Sequence, residues 1–200
     1  MKYEILLFDL LGVLLTDSSQ TIQVFLEVAG MNKKEFFQYF MASPTSMNFH
    51  LGKSSSQAFG ESVVRDLKLS ISAIEFLELF RSWVGGLYDG TETLLNELSQ
   101  RYRLGCFSNN NEIYWPQMRD QLGLGRLLND YFLSHEIGML KPELAAFEHV
   151  IQRLGIEPNR IAFFDDEEEN VMSARKVGMN AYVTKGPSEV REQLNLLGVL

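Results

Sequence analysis

Short apolar runs that stop at a polar residue, alternating with helix-period segments, constrain this chain more than any other feature. Residues 5–8, Ile5-Leu6-Leu7-Phe8, are continuously apolar and end at Asp9. A run this short, without polar alternation, fits a strand covered on both faces whose carboxyl end opens into a site. Segments 103–107 (ending at Ser108), 161–164 (ending at Asp165) and 181–184 read the same way. Helical periodicity covers 92–102, 113–122, 144–154, 170–177 and 188–197, and Gly123, Gly155 and Gly178 read as C-terminal stops. This alternation predicts an α/β fold, a doubly wound parallel sheet with helices on both faces and ligands beyond the carboxyl ends of its strands.

Residues from about 18 to 83 break the alternation. They read as successive helices at 21–29, 33–41, 57–67 and 73–83, which would make a small antiparallel bundle. Loop signals flank them, Thr16-Asp17-Ser18-Ser19 before and Gly85-Gly86 after, so an insertion behind the first strand is the economical reading. The expected division is a core of residues 1–16 and 86–200 and a helical cap of residues 17–85, with Thr16 and Gly85-Gly86 near the hinges. Gly52-Lys53-Ser54-Ser55-Ser56 reads as a link between two cap helices, and Phe36, Phe37, Tyr39 and Phe40 as cap core.

Composition removes several function classes. The 18 Lys+Arg against 26 Asp+Glu give a formal charge of -8, which repels a phosphate backbone and argues against a nucleic-acid partner. Cys106 is the single cysteine, so neither an intramolecular disulfide nor a thiolate zinc site is available, and a reducing cytoplasm is expected. The apolar run before Asp9 is too short for a signal-peptide core and no later run reaches membrane-span length, so no membrane association is expected.

Phosphoryl transfer through an enzyme carboxylate needs a nucleophile, groups that hold the transferred oxygens, a cation, and acids for a charge-offsetting metal. Candidates stand in Phe8-Asp9-Leu10-Leu11-Gly12-Val13-Leu14, in Phe107-Ser108-Asn109-Asn110, in Gly138-Met139-Leu140-Lys141-Pro142-Glu143, and in Phe163-Phe164-Asp165-Asp166-Glu167-Glu168-Glu169-Asn170-Val171. In order and spacing these resemble the haloacid dehalogenase superfamily, whose signatures are an Asp motif, a Ser or Thr, a Lys and an acidic pair. The resemblance extends over nearly the whole chain. It is nearest to the branch holding sugar-phosphate phosphatases such as glucose-1-phosphate phosphatases, haloacid dehalogenases and the N-terminal domain of soluble epoxide hydrolases.

The resemblance implies that Asp9 attacks phosphorus to form an aspartyl-phosphate, that Ser108 and the amide of Asn109 hold phosphoryl oxygens, and that Lys141 pairs with both Asp9 and the phosphate. It also implies Mg2+ held by Asp9, the backbone carbonyl of Leu11 and Asp166, with Asp165 holding metal-bound water, and a small phosphorylated substrate. Magnesium suits a site with few carboxylates.

One position departs from the family pattern. Its phosphatases place a second Asp two residues after the nucleophile, to protonate the leaving group and later activate water, and here that residue is Leu11. General acid-base catalysis, worth about 10²–10⁴-fold in rate, is therefore expected to be weakened. The adopted reading is a Mg2+-dependent phosphatase whose leaving group is good, or takes its proton from water or a cap residue such as His50. The alternatives are a binding or regulatory protein without turnover, and a 2-haloacid dehalogenase, against which the pair Asp165-Asp166 stands. His50, in Asn48-Phe49-His50-Leu51-Gly52, reads equally as a substrate contact and as a structural histidine. Glu167, Glu168 and Glu169 read as helix-start acids, Cys106 as a buried strand residue, and His135 and His149 as packing or surface histidines. Trp115 reads equally as a cleft residue and as helix packing.

Overall fold

A computed structural model describes residues 2–200, and the side chains of Phe37 and Met41, hence the expected place of Phe37 in the cap core, lie outside the described residues. In chain order its strands are β1 (Ile5–Phe8), β2 (Leu15–Asp17), β3 (Val84–Leu87), β4 (Arg103–Ser108), β5 (Asp130–Leu133), β6 (Ile161–Asp165) and β7 (Asn180–Val183). The helices between β2 and β3 are α1 (Ser19–Ala29), α2 (Lys33–Ala42), α3 (Pro44–His50), α4 (Ser56–Asp66) and α5 (Ala73–Arg81). After β3 follow α6 (Thr91–Ser99), α7 (Tyr114–Pro116), α8 (Leu124–Leu127), α9 (Ser134–Ile137), α10 (Leu144–Leu154), α11 (Glu168–Lys176) and α12 (Gly186–Leu196).

The main sheet is parallel throughout, in the order β5-β4-β1-β6-β7. Its continuous apolar runs have a physical reason. Along β1, Leu6 and Phe8 enter one core cluster with α6 and α12 residues such as Leu94 and Val190, while Ile5 and Leu7 enter the other with Phe147 of α10 and Val171 of α11. Both faces of the strand are thus covered, so no position along it can be polar. Phe8 is aligned with both Cys106 and Phe164, which brings the next residues, Asp9, Phe107 and Asp165, to one end of the sheet.

Three elements differ from expectation. The strand β5 has an apolar signal of only three residues, Tyr131-Phe132-Leu133, and an edge position paired to β4 alone. The loop signals around Thr16 and Gly85-Gly86 form the antiparallel pair β2-β3. A Cβ on Gly85 would lie 2.3 Å from Thr16 Oγ1, so glycine here permits close strand approach and does not mark a loop. The expected helix 113–122 is split: α7 passes into a π-helical turn, Gln117–Gln121, closed by the Leu122 amide donating to the Gln117 carbonyl at 3.1 Å. Gly123, with φ +76°, then caps the start of α8.

The helices α1 to α5 form a bundle around aromatic rings. Trp83 meets Phe80, Phe25 and Phe36 at centroid distances of 4.9, 5.1 and 5.2 Å. Capping boxes start α2 (Asn32 with Glu35) and α5 (Ser72 with Glu75). Among the described residues no helix is long and apolar enough to cross a membrane.

Candidate active site

Lys141 organises the carboxyl end of the sheet. It is buried in the loop between α9 and α10, and its ammonium donates to Asp9 Oδ1 at 2.8 Å, to Asp165 Oδ2 at 2.6 Å and to the Phe107 carbonyl at 2.9 Å. All three ammonium donors are used. Asn109 holds the lysine's backbone from both sides: its Nδ2 donates to the Lys141 carbonyl at 2.8 Å and its Oδ1 accepts from the Lys141 amide at 2.9 Å. The Asn109 side chain is therefore committed to placing Lys141, leaving its backbone amide as the candidate phosphate donor.

Asp165 is fully buried. Besides Lys141 it accepts from the Glu167 amide at 2.9 Å and from Asn170 Nδ2 at 3.0 and 3.1 Å. It lies behind Lys141 as an anchor, whereas Asp9, Leu11, Ser108, Asn109, Lys141, Asp166 and His50 all line one cavity of about 470 Å3. Oxygens of Asp9, Asp165 and Asp166 lie within 4.8 Å of one another. Gly12 makes room for this cluster: at φ +88° it occupies a left-handed conformation, and a Cβ there would lie 2.2 Å from Asp166 Oδ2.

Burial dominates the electrostatics. It raises Asp9 above the usual carboxylate range against the opposing pull of Lys141, with Asp165 adding to the rise. Burial also pulls Lys141 down, but Asp9 and Asp165 outweigh it and the ammonium is held above its ordinary value. Asp166 is pushed up to about 6 by burial, then by Asp9 and Asp165. Three carboxylates thus cluster beside one lysine that pairs with only Asp9 and Asp165, and Asp166 has no ion-pair partner among the described residues. A hard, oxygen-preferring dication fits this donor set, because it would offset the unbalanced charge.

The helical bundle supplies the opposite wall: Ile22, Phe36, Phe40, His50 and Trp83, with Tyr114 from α7 beside them. His50 Nδ1 donates to the Ser46 carbonyl at 2.9 Å and Nε2 faces Asn111 Nδ2 at 3.4 Å, so the imidazole is neutral, and burial lowers its pKa. Trp115 packs on Tyr131 at 5.0 Å and is buried, while its neighbour Tyr114, overlooked in the sequence, lines the cavity and stacks on Phe80 at 4.6 Å. Cys106 is buried, and burial drives its thiol pKa upward, as an inert packing residue requires. Asn170 and Gly12 were also overlooked. Their signals, an Asn one turn after the acidic pair and a Gly inside the first motif, become meaningful only once the third dimension is known.

The profile of the haloacid dehalogenase-like hydrolases matches residues 3–178. The chain belongs to this family. Within it, 144 residues are 26% identical to glyceraldehyde 3-phosphate phosphatase of Methanothermobacter thermautotrophicus, covering 72% of this chain but only 62% of that protein. D-ribitol-5-phosphate phosphatase of Bacteroides thetaiotaomicron is 21% identical over 96% of this chain and 97% of its own length. A haloacid dehalogenase family enzyme from Bacteroides thetaiotaomicron, solved in complex with magnesium and inorganic phosphate, superimposes with a TM-score of 0.79 at 25% identity, over 92% of this chain and 94% of that one. The mostly parallel sheet with flanking helices is therefore shared with that solved structure.

Proposed function

We propose that this hydrolase is a Mg2+-dependent phosphatase of a small phosphomonoester, acting through an aspartyl-phosphate on Asp9. The observation that carries the proposal is the placement of the Asp9 carboxylate on the cavity floor, 2.8 Å from the Lys141 ammonium and within the three-carboxylate cluster. The phosphatase names of the relatives support the same reaction class.

In this reading an Asp9 oxygen attacks phosphorus, the new O–P bond replaces the ester P–O bond, and the alcohol departs. Ser108 and the Asn109 backbone amide hold the phosphoryl oxygens, and Lys141 screens Asp9 from the incoming anion. Water then attacks the acyl phosphate and returns Asp9. Asp9, the Leu11 carbonyl and Asp166, with Asp165 close behind, would hold Mg2+, which would supply charge neutralisation at the phosphoryl group. The cap comprises residues 17–85 and the core residues 1–16 and 86–200, the cap closing over the core to exclude bulk water. The substrate is a small soluble molecule, nucleic acid is not a partner, and the compartment is the cytoplasm. Leu11 favours a second reading, a binding or regulatory protein. The unbalanced acidic cluster disfavours the dehalogenase reading, because it would repel a carboxylate substrate.

Phosphate release from a panel of small phosphomonoesters, with Mg2+ or EDTA and with Asp9→Asn as control, tests the proposal. Release that needs Mg2+ and vanishes in Asp9→Asn is expected. Equal release in EDTA or in the variant would overturn it, and none from any ester would favour the binding reading.

A further inference from the structure

The wall facing Asp9 differs in kind from the floor. Ile22, Phe36 and Trp83 are 5%, 1% and 7% exposed, and Phe40 and Tyr114 join them around the cavity. Rings packed within 4.6–5.5 Å of one another hold this wall in place. It offers little to a polyol. Both His50 nitrogens are already engaged, by the Ser46 carbonyl and by Asn111, and Trp83 Nε1 is buried out of a ligand's reach. Sugar or polyol hydroxyls pressed against it would lose their bonds to water without replacement. A flat aromatic ring would lose nothing of the kind and would gain edge and face contacts with the wall. Beyond Asp9, Asp166 and Lys141, the charges lining the cavity are Asp17 and Glu167 against Lys185, so a second anionic group on the substrate would find little compensation.

A separate observation concerns the ester oxygen. Leu11, two residues beyond Asp9, lines the cavity where a proton donor would be useful, and His50 has no free nitrogen to replace it. An alcohol that leaves unprotonated must be a stable anion, which a phenolate is and an alkoxide is not.

We infer that the preferred substrate is a phosphate monoester of a single-ring aromatic alcohol, its ring against the Phe36, Phe40 and Trp83 wall and its phenolic oxygen leaving without general-acid assistance. This rests on the phosphatase reading. The cavity, about 470 Å3, has the size of a small-ligand pocket, consistent with one ring plus the phosphate.

The test uses four probes, phenyl phosphate, benzyl phosphate, glycerol 1-phosphate and ribitol 5-phosphate. Binding is measured by calorimetry on the Asp9→Asn protein with Mg2+, and turnover on the unmodified enzyme. Both ring esters are expected to bind at least about tenfold tighter than either polyol ester. Phenyl phosphate is expected to turn over about 10²-fold or more faster than benzyl phosphate, because only its oxygen leaves as a stable anion. Phe40→Ser, at a partly buried position, is expected to erase the ring preference in binding. Polyol esters binding as tightly as ring esters, or equal turnover of phenyl and benzyl phosphate, would overturn the inference while leaving the phosphatase standing. A ring preference in binding with no phosphate release from any probe would support the pocket and remove the phosphatase reading.

Discussion

Lys141 keeps its charge at 2% side-chain exposure only because Asp9 and Asp165 flank it. Removing one partner from a buried ionic group leaves the other uncompensated, at a cost of about 3–5 kcal/mol. Lys141→Met is therefore expected to lower the unfolding free energy measured by urea denaturation by that order and to abolish turnover; an unchanged unfolding free energy would contradict the buried-pair account. Leu11→Asp is expected to act in the opposite sense on catalysis, raising kcat on alkyl phosphates by about 10²-fold or more while changing aryl esters little. Comparing benzyl and phenyl phosphate in this variant checks it. Sequence alone made Asp9, Ser108, Lys141 and the acidic pair legible, because each sits where an apolar run stops or a recognisable motif begins. Asn109 as a clamp on Lys141 and Asn170 as a brace for Asp165 were not, since both act on partners supplied by another segment or by the turn of a helix.

At the scale of elements, local chemistry was readable wherever a segment fixes its own structure. The helix at residues 144–154 coincides with α10, which Gly155 ends at φ +64° in the left-handed region. The antiparallel pair β2-β3 was hidden because two glycines in a row look like a loop until Thr16 is seen against Gly85. The short helix α3 was hidden because its seven residues are too few to show a period. The Asn32 cap of α2 accepts from the Glu35 amide at 3.0 Å, and Asn32→Ala is expected to cost about 1 kcal/mol, read from chemical denaturation. The end of α3 has a pH dependence with a definite sign. Burial depresses His50 below its ordinary 6.5. The unfolded chain therefore takes up a proton first, and stability that is complete above about 6.5 declines as pH falls toward the folded value. Half-buried His135 acts in the same direction. The raised carboxyls of Asp9 and Asp166 act in the opposite sense, so the His50 contribution is read as the difference in unfolding free energy between the protein and His50→Gln, which should change between pH 8 and 5 in the direction that favours the variant at low pH; a difference that stays constant would contradict the assignment.

The whole molecule is a floor made by the sheet and a roof made by the bundle, joined by hydrogen bonds as well as by chain. Ser134 Oγ donates to the His50 carbonyl at 2.7 Å, and the Ser56 amide donates to Glu112 Oε1 at 2.6 Å. Gly52 sits where a Cβ would lie 2.1 Å from the His135 carbonyl oxygen, so roof and floor meet without side-chain clearance. Sequence periodicity separated the two parts, since strand-helix alternation and a run of helices differ in kind. It gave no view of their meeting surface, which depends on tertiary packing. The claim on which everything else depends is that Asp9 becomes covalently phosphorylated. The direct measurement is acid quenching during turnover of phenyl phosphate with Mg2+, borohydride reduction, and mass spectrometry of the peptide carrying Asp9. Conversion of Asp9 to homoserine, absent without substrate, is the predicted result. Phosphate release with Asp9 unmodified under the same quench would contradict the account.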